Sequence, residues 1–222
     1  MKQCITSWAL ALALAAMPVF ALAQESATPA TLVAAEFAVP ERAEGPDFVL
    51  VPLGPDLVEV DYAAYMSSIE HLQQTFSRST GWPHPGITAD EAMADMENEA
   101  ARFAARTSFA YGVLTPDGTR ERGSLYVSRS PVPGYGAMVR MWVTKDEYDA
   151  GFDAELYRWA QGWIAQEWPF ARVAFPGRAI AWDEWDAEVN AARLAGEPNK
   201  SPLRCAAFRR WRLVGPCRAL IW

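Results

Sequence analysis

The segment from Trp142 to Ile164, WVTKDEYDAGFDAELYRWAQGWI, has the residue order of an anion-binding site. An apolar strand end leads into a turn with one glycine, Gly151, and then into an amphipathic helix. A helix N-terminus presents unpaired N–H groups and about half a positive charge to an anion placed there. The charged side chains of this turn are Lys145, Asp146, Glu147, Asp149 and Asp153. Four acids against one lysine give the turn a charge that repels phosphate.

The absence of several motifs argues against several familiar chemistries. The sequence contains no Gly-x-Ser-x-Gly nucleophile elbow and no phosphate loop ending in Gly-Lys-Ser/Thr. With two histidines, no Cys-x-x-Cys and no His-x-x-x-His, we expect no structural metal site. Paired carboxylates for glycoside hydrolysis stay open among the 27 acidic residues, although nothing in their spacing marks a pair.

The start of the chain has the pattern of a targeting signal. Residues 8–23 contain no charged or strongly polar side chain, follow Lys2 and end in Ala-Leu-Ala. This run is shorter than the roughly 20 residues of a spanning helix, and its small-x-small ending supplies a cleavage site. We therefore predict a secretory signal peptide over residues 1–23 and an exported protein, periplasmic or secreted.

The end of the chain differs from its middle in charge and in cysteine content. Residues 24–198 hold 13 basic and 27 acidic side chains, a net charge of about −14, which argues against nucleic acid as a partner. Residues 198–222 hold six basic and no acidic side chains, together with Cys205 and Cys217, which could pair in an oxidising compartment. We interpret them as a disordered tail or, alternatively, as a cationic Trp-bearing segment that contacts an anionic membrane surface.

Hydrophobic periodicity gives the elements that would position a site. Residues 24–46, rich in Ala, Pro and Glu, are interpreted as a linker to one domain over residues 47–197. The predicted elements, in chain order, are a strand at 48–53, helices at 61–76 and 89–106, strands at 108–115, 123–130 and 137–144, a helix at 152–164, a strand at 171–175 and a helix at 183–195. Thr88 and Glu91 form a capping box for the second helix. The order is therefore β-α-α-β-β-β-α-β-α.

This order is the one found in the GCN5-related N-acetyltransferase (GNAT) fold. The amino-acid sequences of two segments resemble those of a bacterial N-acetyltransferase-like group of uncharacterised activity. The segments are FAYGVLTPDGTRERGSLYVSRSPVPGYGAMVRMWV and WIAQEWPFARVAFPGRAIAWDEW. That group shares a Tyr-x-Val-x-x-Pro-Asp strand, a Trp-Val strand end and a Trp-Pro-Phe-x-Arg-Val-x-(Phe/Tyr)-Pro-Gly-Arg string, matched here at 111–117, 142–143 and 168–178. The resemblance covers residues 48 to about 190 and implies an α+β fold with a mixed, mostly antiparallel sheet and helices on both faces.

The resemblance also implies where acetyl-CoA would bind. In active GNAT proteins the strand before the main helix splays from its neighbour, and its backbone N–H groups hold the thioester carbonyl. A Gln/Arg-x-x-Gly-x-Gly/Ala turn after that strand cradles the pyrophosphate. Backbone donors suit both tasks because they point at a fixed place. The residues matched to these coenzyme-binding roles are Met141, Trp142, Val143, Gly151 and Phe152.

This chain departs from the pyrophosphate turn of the family at two positions. Tyr148 stands at the basic or amide first position, and Asp153 stands at the last small position. A carboxylate about 4 Å from a phosphate oxygen costs roughly 1 kcal/mol in water and about 4 kcal/mol at an effective dielectric constant of 20. We therefore expect coenzyme binding to be weakened by about tenfold or more.

The acceptor of GNAT proteins usually lies near the loop between the first two helices. By that resemblance, Trp82 in the loop and Trp182 are candidate substrate-binding residues. His84, in the same loop, is the candidate general base because it titrates in a suitable range, although it lies between two prolines. We interpret His71 as structural because its neighbours on the first helix are apolar. The tyrosine that many members place near the last helix has no counterpart, since no tyrosine follows Tyr157.

Two functions stay open at this point. The first is an exported acyl-CoA-dependent N-acetyltransferase acting on a small-molecule or peptide amine. The second is a non-catalytic binding or interaction module of the cell envelope, because acetyl-CoA is made and kept in the cytosol and the turn is degenerate. Convergence of Trp82, Trp142 and Trp182 on one cleft would favour a ligand site, whereas scatter would count against the module.

Overall fold

The computed structural model describes residues 30–196, which form one six-stranded sheet with helices on both faces. The strands, which lie side by side in chain order, are β1 (Ala43–Glu44), β2 (Val49–Pro52), β3 (Ser108–Leu114), β4 (Glu121–Ser128), β5 (Ala137–Val143) and β6 (Val173–Ala174). Neighbouring strands are antiparallel from β1 to β5, whereas β5 and β6 are parallel. The expectation of an α+β fold with a mixed, mostly antiparallel sheet is confirmed.

The helices are α1 (Val58–Met66), α2 (Ile69–Leu72), α3 (Ala89–Ala104), α4 (Lys145–Asp149), α5 (Phe152–Glu167) and α6 (Trp182–Gly196). The capping box at Thr88 and Glu91 is confirmed: the Glu91 N–H donates to Thr88 Oγ1, and the Thr88 N–H donates to Glu91 Oε2. The short helix α4 fills the turn between β5 and α5, where the sequence analysis expected no helix.

The prediction of a single helix over residues 61–76 is wrong. The helix is interrupted at Ser67 and Ser68, and α2 is followed by a π-helical turn at Gln73–Ser77. Both serines use their side chains to bond backbone groups, which competes with continuous helix. Ser67 Oγ donates to the Ala64 carbonyl at 2.7 Å, and buried Ser68 Oγ accepts from the Lys145 N–H at 2.9 Å. The break thereby ties α1 and α2 to the start of α4.

The two faces of the sheet bury different helices. The apolar stripe of α5 packs on one face, where it meets alternate residues of β5 that include Val139, Met141 and Val143. Trp142 points to the other face and packs there against Tyr65 and Leu72 of α1 and α2. Side chains that are neighbours along β5 therefore serve opposite sides of the sheet.

Residues 30–46 are part of the domain, and the interpretation of residues 24–46 as a linker is corrected for this portion. Val33 is buried in the main core, and Ala43 pairs with Leu50 in the sheet. The Arg106 guanidinium donates to the carbonyl of Phe37 at 2.7 Å, and the phenol of buried Tyr111 donates to a carbonyl of this segment. The apolar residues of this segment follow no regular period, so periodicity does not detect them.

The predicted signal peptide at residues 1–23 and the basic tail at residues 198–222, with Cys205 and Cys217, lie outside the described residues. Within residues 30–196, none of the helices combines the length and the apolar composition needed to cross a bilayer.

Candidate functional site

Strands β5 and β6 separate from each other soon after they begin to pair. Their only paired positions are Ala137 with Val173 and Met138 with Ala174. Strand β6 ends there, whereas β5 continues to Val143. Within residues 30–196, the second half of β5 therefore has no strand partner on its β6 side, which leaves backbone groups there for another use.

A cleft of about 310 Å³ opens along this part of β5. Its walls come from β5, from α2 and the turn after it, from the end of α4, from the start of α5, and from the segment that leads from β6 into the start of α6. The lining residues are His71, Gln74, Thr75, Phe76, Arg140, Met141, Trp142, Val143, Tyr148, Asp153, Pro176, Gly177, Arg178 and Trp182.

Met141, Trp142, Val143 and Trp182 line the cleft, as the roles assigned to them require. Trp142 is buried, and its indole N–H lies 3.3 Å from the Tyr126 hydroxyl, so this tryptophan forms part of the wall. Trp182 stands at the opposite side, at the start of α6.

Trp82 stands behind the cleft, and its ring packs 6.3 Å from that of Trp142 and 5.9 Å from that of Phe76. The three tryptophans therefore converge on one region, in which Trp142 and Trp182 line the cleft and Trp82 supports its wall.

Gly177 allows Trp182 to close one side of the cleft. A side-chain carbon added at Gly177 would lie 2.4 Å from Cε2 of the Trp182 ring, which is closer than atoms can approach. Gly177 also has a φ of +75°, a left-handed conformation that glycine adopts without strain. The Pro-Gly-Arg string of the sequence thus has a local reason for its glycine.

Gly151 and Phe152, the other residues matched to coenzyme binding, lie outside the cleft. Phe152 is buried in the core, where the Arg122 guanidinium stacks 3.4 Å from its ring centre. The N–H groups of Ala150 and Gly151 donate to the carbonyls of Asp146 and Tyr148, each at 3.0 Å. Helix α4 thus uses two backbone donors that a pyrophosphate cradle would need.

Three of the four acidic side chains in this turn have cationic partners. Asp149 pairs with Lys145 at 2.6 Å on the surface. Glu147 is buried between two guanidinium groups and pairs with Arg122 at 2.7 Å. Although burial alone would raise its pKa, the bonds from these arginines hold the pKa of Glu147 below its ordinary value.

The third ion pair lies in the cleft itself. Arg178 donates to both carboxylate oxygens of Asp153, with an Nη2–Oδ1 distance of 2.6 Å. Asp153 is the second residue of α5, so this pair stands at the helix N-terminus where a pyrophosphate would approach. Arg178 therefore offsets the repulsion that Asp153 would exert on a phosphate. The obstacle to pyrophosphate binding is that the two side chains are already bonded to each other.

The structure places the two histidines differently from their expected roles. His84 does not line the cleft, and its Nδ1 accepts from the Gly86 N–H at 3.2 Å. His71, interpreted as structural, does line the cleft, with its ring centre 4.8 Å from that of Tyr148. Burial, with a smaller effect from Lys145, lowers the pKa of His71 below its ordinary value. The lowered pKa favours the neutral form of the His71 imidazole.

Arg140 is a cleft residue that sequence reasoning missed. It donates from Nη2 to the Phe76 carbonyl, and its guanidinium stacks 4.2 Å from the centre of the Phe76 ring. Its Nε is enclosed and has no hydrogen-bond partner among the described residues. No acidic side chain in residues 30–196 forms an ion pair with it. The sequence signal that could have identified Arg140 is that it is the single charged residue in the otherwise apolar strand β5.

Comparison with known proteins identifies the fold that carries this cleft. No protein-family model and no curated protein matches the sequence. The structure is similar to the ribosomal-protein-S5-alanine acetyltransferase from Vibrio fischeri, with a TM-score of 0.51 and 13% identity over 68% of this chain and 80% of that chain. The chain has a GNAT-like fold. A Vibrio cholerae protein assigned as a ribosomal-protein-serine acetyltransferase is similar at a TM-score of 0.49 and 12% identity, over 69% and 80% of the two chains.

The GNAT-like cleft fits one part of acetyl-CoA better than the other. The unpaired edge of β5, at Arg140–Val143, offers backbone N–H groups to an acyl-pantetheine arm. At the pyrophosphate end, Arg178 is a suitable cation, but Asp153 holds it. Among the described residues, no group of three or more His, Cys, Asp or Glu side chains is arranged to hold a metal ion.

Proposed function

We propose that this protein is an acyl-CoA-dependent N-acetyltransferase that acts on a primary amine. The observation that carries the proposal is the separation of β5 from β6, which opens a cleft of about 310 Å³ along an unpaired strand edge. With the predicted signal peptide, this activity would be exported, so an acyl donor would have to reach it outside the cytosol.

The residues of the cleft divide the task between them. Acetyl-CoA, when bound, supplies an acetyl group activated as a thioester. Backbone N–H groups of Arg140–Val143 that face the β6 side would bind its carbonyl oxygen and would stabilise the negative charge that develops on that oxygen. His71, whose pKa is lowered by burial, would accept the proton of the attacking amine at an imidazole nitrogen, and the CoA thiolate would leave as the C–S bond breaks and take up a proton to become the free thiol.

The test is acetyl transfer by the purified mature chain. Acetyl-CoA is supplied with a panel of small primary amines and amine-terminated peptides, and acetylated product is measured by mass spectrometry alongside release of free thiol. The proposal expects equal amounts of product and thiol for at least one acceptor. Failure of every amine, with a correctly folded chain, would overturn it.

A second candidate is favoured by the state of the α5 N-terminus. The Asp153–Arg178 pair and the helical hydrogen bonds of Ala150 and Gly151 engage the groups that a pyrophosphate needs. A non-catalytic module of the cell envelope would use the same cleft for a ligand without phosphates. It predicts ligand binding in the cleft with no response to acetyl-CoA.

A further inference from the structure

We propose that Arg140 forms an anion subsite in the cleft and that the acceptor is a small amine bearing a carboxylate. The assignment of this carboxylate to the acceptor rests on the proposed acetyltransferase function. The anion subsite itself does not, since it follows from the surroundings of Arg140.

The charge of Arg140 is not neutralised within the part of the chain that the structure describes. The side chain is partly enclosed between strand β5 and the turn after α2, where its contacts are a carbonyl oxygen and an aromatic ring. These contacts stabilise a cation without cancelling its charge. Charges removed from water are normally paired, so the site calls for an anion.

The cation nearest to Arg140 around Trp182 is Arg78, and the carboxylate that pairs with Arg78 is fully engaged by it. Arg78 and Arg140 lie 4.7 and 5.8 Å from the Trp182 ring centre. Asp186 bonds both terminal nitrogens of Arg78, at 2.9 and 2.7 Å, so it compensates Arg78 alone. Of these two guanidinium groups, only that of Arg78 forms an ion pair within residues 30–196.

Arg140 also has a donor to offer. Nη2 is engaged by Phe76 and Nε is enclosed. Nη1 makes no hydrogen bond within residues 30–196 and is not among the enclosed unpaired atoms, so a ligand can reach it. A carboxylate beside a guanidinium gains a charge-assisted hydrogen bond, which is about twice as strong as a neutral one.

The cleft holds a second cation, Arg178, on a different element from Arg140. Arg140 lies on β5, three residues before Val143, whereas Arg178 is bonded to Asp153 at the start of α5. A cleft of about 310 Å³ is near the lower limit for ligand pockets, so an acceptor that shares it with an acyl arm must be small.

The first experiment tests the subsite without acetyl transfer. Propionate and its uncharged analogue propionamide are titrated into the mature chain and into Arg140→Gln, with binding followed by NMR of the ligands. We expect propionate to bind the unmodified chain, propionamide not to bind, and Arg140→Gln to weaken propionate binding about tenfold or more. Equal binding of the two ligands, or of propionate to both proteins, would overturn the subsite.

Arg172→Gln is the matched control. Arg172 also stacks on an aromatic ring, 3.9 Å from the centre of Tyr135, and also donates a hydrogen bond, but it lies outside the cleft. Propionate binding should not change in this variant. If Arg140→Gln fails to fold, equal binding of propionate and propionamide to the unmodified chain would still overturn the subsite.

The second experiment tests the acceptor. Acetyl transfer from acetyl-CoA is compared for β-alanine and β-alaninamide, which differ in charge and little in size. We expect β-alanine to have the higher kcat/KM through a lower KM. Equal kcat/KM values would overturn the carboxylate requirement while leaving the acetyltransferase function in place. Propionate binding without transfer to either amine would keep the subsite and reject the acceptor assignment, and the proposed activity would fall only if every amine of the wider panel also failed.

Discussion

At the scale of single residues, the ion pair of Asp153 and Arg178 would control how strongly the cleft binds the pyrophosphate of a coenzyme. The carboxylate sits in the first turn of α5, where the helix dipole and Arg178 both stabilise it. A pyrophosphate would need the same two partners. Competition for them, more than repulsion between like charges, is the obstacle that the structure places at this point.

Replacing Asp153 with Asn should strengthen acetyl-CoA binding. The amide keeps a similar shape but releases the full charge of Arg178 to a phosphate group, which we expect to improve the Kd several-fold. Isothermal titration calorimetry measures it directly. Asp149→Asn is the control, because its pair with Lys145 is exposed and outside the cleft. Weaker binding in Asp153→Asn would show that the carboxylate orients Arg178 for the phosphates instead of blocking it.

Replacing His71 with Gln should lower kcat by about 10²- to 10⁴-fold if this imidazole accepts the amine proton. In the unmodified protein, activity should fall in acid as His71 gains a proton, and it should do so below the ordinary histidine pKa because burial lowers that pKa. A pH–rate profile shows both effects. His84→Gln, outside the cleft, should keep the profile unchanged. Loss of activity in His84→Gln with full activity in His71→Gln would reverse the assignment.

At the scale of elements, α1 and β4 meet through two buried carboxyl groups. Asp61 and Glu121 are within hydrogen-bonding reach, Ser124 Oγ donates to Glu121 Oε1 at 2.7 Å, and Glu121 Oε2 has no partner. Burial, with added repulsion from Asp95 and Glu99 on α3, raises the pKa of Asp61 to about 7. Burial and Asp61 also raise the pKa of Glu121. The folded protein therefore retains protons that the unfolded chain releases.

The free energy of unfolding should decrease as the pH rises from about 4 to above 7, because the folded-state pKa values exceed those of the unfolded chain. Glu121→Gln removes one of the two charges and can still bond Asp61 and Ser124. It should therefore weaken this pH dependence and raise stability at pH 8. Urea denaturation of both proteins at pH 5 and pH 8 checks this, and an equal pH dependence in the two would contradict it.

Sequence patterns predicted the elements whose signals are local. The capping box at Thr88, the apolar stripe of α5 and the three central strands follow from spacing that lies within the segment itself. Helix α4 and the break at Ser68 were missed because they depend on each other across the fold, through the bond from the Lys145 N–H. That break and α4 also bring His71 beside Tyr148, so periodicity could not identify it as a cleft residue.

At the scale of the whole molecule, residues 30–46 extend the sheet by one strand and cover the main core. Removing them should destabilise the protein substantially. The buried hydroxyl of Tyr111 would lose its partner, the Pro40 carbonyl, and apolar surface beneath Val33 would be exposed. Thermal denaturation of chains beginning at residues 24 and 47 measures the effect. Equal Tm values would mean that the segment is a linker after all.

The GNAT-like fold could be predicted from the order of elements because that order is a property of the entire domain. The chemistry of the cleft could not, since it depends on partners distant in sequence. Arg178 meets Asp153 across 25 residues, and Arg140 meets Phe76 across 64. Such pairs leave no spacing pattern in a single sequence.

We propose that the cleft between β5 and β6 binds acetyl-CoA. The most direct measurement is thermal denaturation of the mature chain with and without millimolar acetyl-CoA. We expect an upward shift in Tm; at 100 times the Kd, the ligand would add about 2.7 kcal/mol to the free energy of unfolding, which corresponds to several degrees. An unchanged Tm at millimolar acetyl-CoA would contradict the claim and leave the cleft to a different ligand.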